Sequence, residues 1–357
     1  MNFGKNDLVK YNLSLLYRFI KLAVDKNQKF DRIPIPLWKI LGGEQDFSSK
    51  TSYGDLFSTG EVSEMEELGV FNQSHIDYLL ENLSKSGIES PERLIAFIKT
   101  FGEIEIHRKS LDENGLRYFM ASSYFIHLGK PELISSRDCS WAYFSESQDY
   151  ILDTLTKAVG GKICWKDARN MGLGFWISNA NTLKQSFETI ARNQYWGTDG
   201  VHDPVACSLY YFALKKKNVL LGLWKLASHH AEQSAMLKFL SNNFDDERWK
   251  NAALKNAFAL LGKQRYEYAA AFFLLGNKLK DAVNVCLKQL EDPQLAICIC
   301  RIYEGENGPI LNEIIQTNLL PAACKAGDRW LSCILWSLIG NRSNAFYSLT
   351  VRIFLIL

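Results

Sequence analysis

YAAAFFLLGNKLKDAVNVCLKQLEDPQLAICICRIYEG, residues Tyr268 to Gly305, decides the fold. It is apolar, rich in alanine and cysteine, and punctuated by Gly-Asn and Asp-Pro. Ala269, Ala270 and Ala271 would let neighbouring helices approach closely, and Phe272, Phe273, Leu274 and Leu275 would fill the space between layers. Gly276 then ends a first helix. Lys278–Leu290 forms a second, with Leu279, Val283, Cys286, Leu287 and Leu290 on one face. Asp292-Pro293 opens a third, with proline at the first helical position. The stretch reads as helices packing on helices.

The same punctuation recurs. Apolar helices end in Leu-Gly-Lys (128–130 and 261–263), Leu-Gly-Asn-Lys (275–278) and Ile-Gly-Asn-Arg (339–342). Glycine is expected to take the left-handed conformation there, and a base suits the negative end of the helix dipole. The pattern predicts an all-α protein, an irregular α-solenoid of helix–turn–helix units about 30–45 residues long. Ser90-Pro91 and Asp203-Pro204 mark further helix starts. LRYFMASSYFIHLGK (116–130) reads as one helix, and DPVACSLYYFALKKKNVLLGLWKLA (203–227) as two. Strand-like alternation appears only in fragments such as EIEIH (103–107).

Upstream, DLVKYNLSLLYRFIKLAV reads as an amphipathic helix on Leu8, Tyr11, Leu15, Phe19 and Leu22. Lys10, Arg18 and Lys21 break the apolar core that a signal peptide needs. The expected organisation is an N-terminal helix and extended proline segment (1–41), an acidic Gly/Ser-rich linker (42–69) and an α-solenoid (70–357). The 357 residues carry a formal charge of +2, which gives no push toward nucleic acid or anionic membrane. No run of about 18 apolar residues suggests a membrane span. Eight cysteines in a chain this long are too dilute for a disulfide framework. The expectation is a cytoplasmic protein with reduced thiols.

Candidate chemistry is sparse. Cys298 and Cys300, two apart on a helix, diverge by about 200° and cannot share one metal ion. His229-His230 reads as a solvated turn. Cys207 with His202 lacks an oxyanion loop. In MGLGFW (171–176) the third glycine of a dinucleotide fingerprint is missing, and GGK (160–162) lacks a phosphate-loop frame, so both read as loops. No catalytic, cofactor or metal residue is assigned. RNQYWGTDGVHDP (192–204) reads as an irregular connection rich in residues that anchor interfaces, although it could equally cap the edge of the array. Lys215-Lys216-Lys217 is either a solvated turn or part of a partner surface. The candidate partner-contact residues are Tyr195, Trp196, Asp199, His202, Asp203, Lys215, Lys216 and Lys217.

A family resemblance rests on DPVACSLYYFALKKKNVLLGLWKLA, on ERWKNAALKNAFALLGKQRYEYAAAFFLLGNKLKDAVNVCLKQLEDPQLAICICRIYEG and on AGDRWLSCILWSLIG. These blocks resemble the helical region of the large subunit of the RAVE complex, whose animal relatives are the DmX-like proteins or rabconnectins. LRYFMASSYFIHLGK and ARNMGLGFWISNANTLKQSFETIARNQYW are similar too, so the resemblance covers about residues 110–342. It implies a non-enzymatic scaffold that promotes assembly of the peripheral sector of the V-ATPase onto its membrane sector. The implied partners are peripheral-sector subunits, a rogdi-type subunit and a Skp-type adaptor, met transiently at the vacuolar or endosomal membrane. A vesicle-coat or tethering solenoid is the alternative. The family's propeller signature does not occur here, and NAFYSLTVRIFLIL stops where family members continue, so a truncated reading frame or a split gene is expected.

Overall fold

A computed structural model describes residues 16, 20, 21, 23, 24, 73–85, 90–197 and 202–350. The extended proline segment, the 42–69 linker, Asp199 and the final apolar residues lie outside them. Among the described residues the structure is helical, with no strand. They fall into two compact units. One takes those up to Asp112 plus Phe119–Lys130; the other takes Glu113–Tyr118 and everything from Pro131 on.

In the first unit lie α1 (Gln73–Lys85), α2 (Pro91–His107) and most of α3 (Glu113–His127). Residues 16, 20, 21, 23 and 24 are helical. Leu16, Ile20 and Val24, four residues apart, join Ile76, Leu79, Ile95, Ile98 and Phe101 in one core. Leu8, Tyr11, Leu15, Phe19 and Leu22, the face read from the sequence, lie outside the described residues. EIEIH belongs to α2, where Phe101 and Ile104 are buried three residues apart. Ser90 stands at the start of α2 but makes no capping bond through its side chain. Glu103 accepts hydrogen bonds from Ser123 and, at 2.8 Å, is joined to His127 Nε2. Burial would raise its carboxyl, but those two bonds outweigh burial and hold it below the ordinary value.

The second unit begins with α4 (Ser136–Tyr143), α5 (Gln148–Ala158), α6 (Trp165–Asn170), α7 (Leu173–Trp176) and α8 (Ala180–Trp196). It continues through α9 (Pro204–Ala213), α10 (Lys217–Leu226), α11 (Gln233–Leu240), α12 (Glu247–Gly262), α13 (Tyr266–Leu275), α14 (Leu279–Lys288) and α15 (Pro293–Tyr303). The last elements are α16 (Pro309–Ile314), α17 (Leu320–Lys325), α18 (Arg329–Leu338) and α19 (Arg342–Thr350). A π-helical turn, Ile315–Leu319, joins α16 to α17. Pro321 follows it; its ring denies the preceding turn a regular hydrogen bond, which accounts for the wider winding.

Sequential helices pack on one another from α8 to α16, apart from the α11–α12 step, and again from α17 to α19. This is solenoid-like packing. At its centre the Tyr268–Leu274 part of α13 is buried all round: Ala269, Ala270 and Ala271 are fully buried, with Phe272, Phe273 and Leu274 nearly so. A helix buried on every side needs no polar face. It packs on α9, α12 and α14, and the alanines allow those close approaches.

One turn builds most of the repeat, and it corrects the reading of the glycines. Gly129, Lys215, Gln264, Asn277, Gly327 and Gly340 all have φ between +57° and +75°. In each case the next residue's N–H donates to the carbonyl five residues back, at 2.8–3.0 Å, as in Lys216 to Tyr211, Lys278 to Phe273 and Asn341 to Trp336. These are Schellman closures. Glycine takes the left-handed position at 129 and 340. At 262 and 276 it does not; Gln264 and Asn277 do. Gly276 is needed for space instead, since a Cβ there would lie 2.7 Å from Leu254 Cδ2. The recurrence is also less regular than a 30–45-residue period: paired turns stand 13 residues apart at 264 and 277, and again at 327 and 340.

Nearest-neighbour stacking does not exhaust the packing. α4 and α7 pack against α18, and α7 also against α15, across more than 110 residues of chain. The joint is MGLGFW. Expected as a loop, it is a turn and one helical turn, buried at Met171, Gly172, Leu173, Gly174 and Trp176. Buried backbone outside a long helix must find partners elsewhere, and side chains supply them. Tyr118 Oη and Trp176 Nε1 both donate to the Met171 carbonyl. Gln148 Nε2 donates to Trp176 O at 2.9 Å, while its Oε1 accepts from Ser178 N at 3.0 Å. Gln294 accepts from Gly174 N at 3.2 Å and donates to Arg169 O at 2.8 Å. Arg301, 1% exposed, donates to Ile177 O at 2.7 Å and Ser178 O at 3.0 Å. Both glycines of the motif are spatial requirements. Gly172 has φ +69° and sits against Cys139 Sγ, and a Cβ on Gly174 would come 2.8 Å from Gln294 Cβ.

Ala270→Asp places an unpaired carboxylate in the seam around α13, at a cost of about 3 kcal/mol or more. The expected outcome is insoluble protein or a melting temperature lowered by roughly 10 °C. Thermal melting followed by circular dichroism checks it, and unchanged melting would show the alanine stripe to be uncrowded.

Candidate functional site

Among the described residues no group of three or more His, Cys, Asp or Glu side chains could hold a metal ion. Cys286, Cys298 and Cys300 are buried in α14 and α15. Burial pushes the Cys298 thiol up to about 12 and raises Cys286 and Cys300 as well, so none is a ready thiolate. Cys207, the nucleophile weighed with His202, is buried and donates to the Pro204 carbonyl at 3.3 Å; burial again raises its thiol. Cys164 differs: it is half-buried, and its Sγ donates to Asp167 Oδ2 at 2.9 Å.

The aromatic candidates come together, but not in a loop. Tyr195 and Trp196 form the last turn of α8, and Gly197 ends it. The helix persists that far because Ile190, Ala191 and Tyr195 continue its buried face. The His202 ring stacks on Tyr195, 5.1 Å between centroids and 8° from parallel, and meets Trp196 edge-on at 4.4 Å. Tyr195 is 5% exposed and Trp196 53%. Tyr195 therefore supports the cluster while Trp196 presents it. Asp203 caps α9 by accepting from Val205 N at 2.8 Å. Its Oδ1 lies 3.9 Å from His230 Nε2, whose ring packs edge-on against buried Trp224. His230 Nδ1 also accepts from Glu232 N at 3.1 Å, so this half-buried histidine organises a turn in which His229 is exposed. The fully buried Trp224 makes no hydrogen bond through Nε1.

The three lysines part company. Lys215 adopts φ +57° and carries its ammonium over the Tyr303 ring, 4.4 Å from the centroid. Lys216 pairs with Glu188 at 2.7 Å. Lys217 donates to the Asn242 carbonyl at 2.8 Å and sits 5.1 Å from the Phe244 ring centroid. Tyr303 in turn donates to Asn277 Oδ1 at 2.9 Å and Leu274 O at 3.1 Å. The ends of α9, α13 and α15 are thus joined along one edge. Two clefts open there, about 420 Å³ on the Lys217 side and about 430 Å³ on the Lys216 side, with Lys215 and Tyr303 lining both. Sequence reasoning marked the lysines but not Tyr303, whose part depends on a fold that brings residue 303 beside residue 215.

A larger cleft of about 670 Å³ lies beside the MGLGFW joint, lined by Trp165, Arg169, Asp292 and Gln294 among others. The polar groups nearest the joint are engaged with one another. Trp165 Nε1 donates to Asp292 Oδ2 at 2.8 Å, Arg169 Nε lies 3.6 Å from the same oxygen, and Arg169 Nη2 donates to Glu291 O at 3.1 Å. This cleft is a structural joint.

The family described as RAVE protein 1 C terminal matches residues 1–356, further than the blocks at 110–342 from which the resemblance was read. "Regulator of V-ATPase in vacuolar membrane protein 1" of Saccharomyces cerevisiae is 40% identical over 275 residues, 75% of this chain and 20% of that protein. The protein of the same description from Schizosaccharomyces pombe is 37% identical over 297 residues, 81% of this chain and 23% of that protein. "DmX-like protein 1" of Homo sapiens is 37% identical over 212 residues, 56% of this chain and 7% of that protein. The chain spans about a fifth of the length of the first two. Among the described residues no helix is long and apolar enough to cross a membrane.

Two outcomes follow from this geometry. Tyr195→Ala removes a buried ring and is expected to cost about 3 kcal/mol, whereas Trp196→Ala costs under about 1 kcal/mol; urea denaturation of both variants measures the difference. In a thiol-reagent titration at pH 8, Cys164 is expected to react first and the seven buried cysteines only on denaturation. Prompt reaction of Cys298 in the folded protein would contradict its burial.

Proposed function

The chain belongs to the RAVE protein 1 C-terminal family, and from that premise we propose that it is a helical scaffold promoting assembly of the V-ATPase. In this reading it holds soluble peripheral-sector subunits, together with a rogdi-type subunit and a Skp-type adaptor, and helps that sector rejoin the membrane sector. It works without catalysis, in the cytoplasm and transiently at the vacuolar membrane. The 70–357 array, with its family-like part at about 110–342, is the proposed binding region. Trp196, His202, Asp203 and the Lys215–Lys217 turn are its proposed contacts, with Tyr195 behind them; Asp199, in the same connection, is proposed with them.

The observation that carries the reading is 37–40% identity to two proteins described as regulators of V-ATPase, across at least three quarters of this chain. The physical picture supports it. Buried Gln148, Gln294 and Arg301 are engaged in holding the array together, as a scaffold requires, and the exposed turns remain for partners. Deleting these residues from the encoding gene is expected to leave vacuoles poorly acidified, with normal levels of pump subunits but less peripheral sector on the membrane. Fluorescence pH measurement and membrane fractionation check this. Normal acidification with normal sector attachment would overturn the proposal.

A further inference from the structure

The turn edge carries an unusual charge arrangement. One cleft presents Lys215, Lys217 and Lys250 with Asp245; the other presents Lys184, Lys215 and Lys216 with Glu188 and Glu304. Several of these charges are already engaged. Lys216 holds Glu188, Lys217 caps the end of α11, Lys250 pairs with Glu247 at 2.7 Å, and Glu304 accepts from Leu311 N at 3.0 Å. Lys215 and Lys184 have no carboxylate partner among the described residues, and both are exposed. Apolar side chains line the same clefts: Phe244 and Leu275 in the first, Leu214 and Ile302 in the second.

We propose that the two clefts flanking the Lys215–Tyr303 wall dock an extended acidic segment of a protein partner. Its apolar side chains enter the clefts and its carboxylates meet Lys215 and Lys184. This deepens the scaffold reading and rests on it for the presence of a partner. An extended chain sends alternate side chains to opposite sides, repeating every 6.7 Å or so, which suits two concavities divided by a ridge. Charge complementarity selects an acidic segment, because the two clefts together present five lysines against three carboxylates, Glu188, Asp245 and Glu304. A flat anionic bilayer cannot enter the concavities. Nucleic acid would need a longer basic tract than this chain of net charge +2 offers.

The test uses the purified 357-residue chain and a fluorescent octapeptide, Glu-Leu-Asp-Phe-Glu-Leu-Asp-Glu, with a control whose acids are Gln and Asn. Anisotropy is expected to show saturable binding of the acidic probe alone, weaker at 200 mM than at 50 mM salt. Lys215→Gly is the informative variant. Glycine suits a φ of +57° better than lysine does, so the melting temperature should stay within about 3 °C. Affinity should fall about tenfold, as with Lys184→Glu. No binding of the probe, or equal binding by both variants, would overturn the proposal. So would Lys215-dependent binding to phosphatidylserine vesicles in place of the probe, which would assign the edge to a membrane surface. Acidification in cells reads the scaffold proposal separately, so either can fail while the other stands.

Discussion

Arg301 is the largest charged side chain buried in the described structure, and its guanidinium faces the backbone of a segment more than 120 residues earlier. It donates to Ile177 and Ser178 and is balanced by Glu306, with Nε 2.8 Å from Oε2 and Nη2 3.0 Å from Oε1. The requirement behind it is backbone accounting. Residues 171–178 are mostly buried yet too irregular to satisfy their own carbonyls and amides. Each unpaired buried group would cost about 1–3 kcal/mol. Tyr118, Gln148, Gln294 and Arg301 answer that requirement from three different helices, α3, α5 and α15. A buried charge of this kind adds little net stability, but losing one partner leaves the other uncompensated. The joint therefore holds together as a unit.

That joint changes what kind of solenoid the second unit can be. In a strictly linear array each helix pair meets only its neighbours, and stability is close to a sum of local terms. Here α4 and α7 are tied to α15 and α18, so the ends of a long stretch of chain depend on each other. Ser136 Oγ adds a further link, 2.6 Å from Asp328 Oδ2. The polar side chains that form these links are unavailable for chemistry. The edge turns differ: they keep cations and apolar side chains facing solvent, as a scaffold needs.

Much of this was legible in the sequence wherever the determining contact is local. The Asp-Pro helix starts were read correctly, since Asp203 and Asp292 accept from amides two or three residues on. The central alanine and phenylalanine run announced close helix–helix packing, and Tyr268–Leu274 of α13 is buried on every side. The glycine endings were only half legible. Gln264 and Asn277 bear the left-handed conformation because the Schellman closure requires it at a fixed position, whatever residue stands there. Tyr195 and Trp196 were flagged as a pair, yet one is buried and the other exposed. Adjacent residues on a helix point about 100° apart, and only the neighbouring elements say which direction is inward.

The sequence by itself determined the all-α class, the helix starts, the placing of the cysteines in buried helices and the family blocks. All of these depend on residues within one or two turns of each other or on direct likeness to relatives. Only the tertiary structure decided that MGLGFW is a buried joint, that Arg301 and Gln294 serve it, and that Lys215 shares a wall with Tyr303. Those contacts pair residues about 90 to 130 positions apart in the chain. Local periodicity and capping carry no information across such separations, because what joins the partners there is the packing of intervening helices.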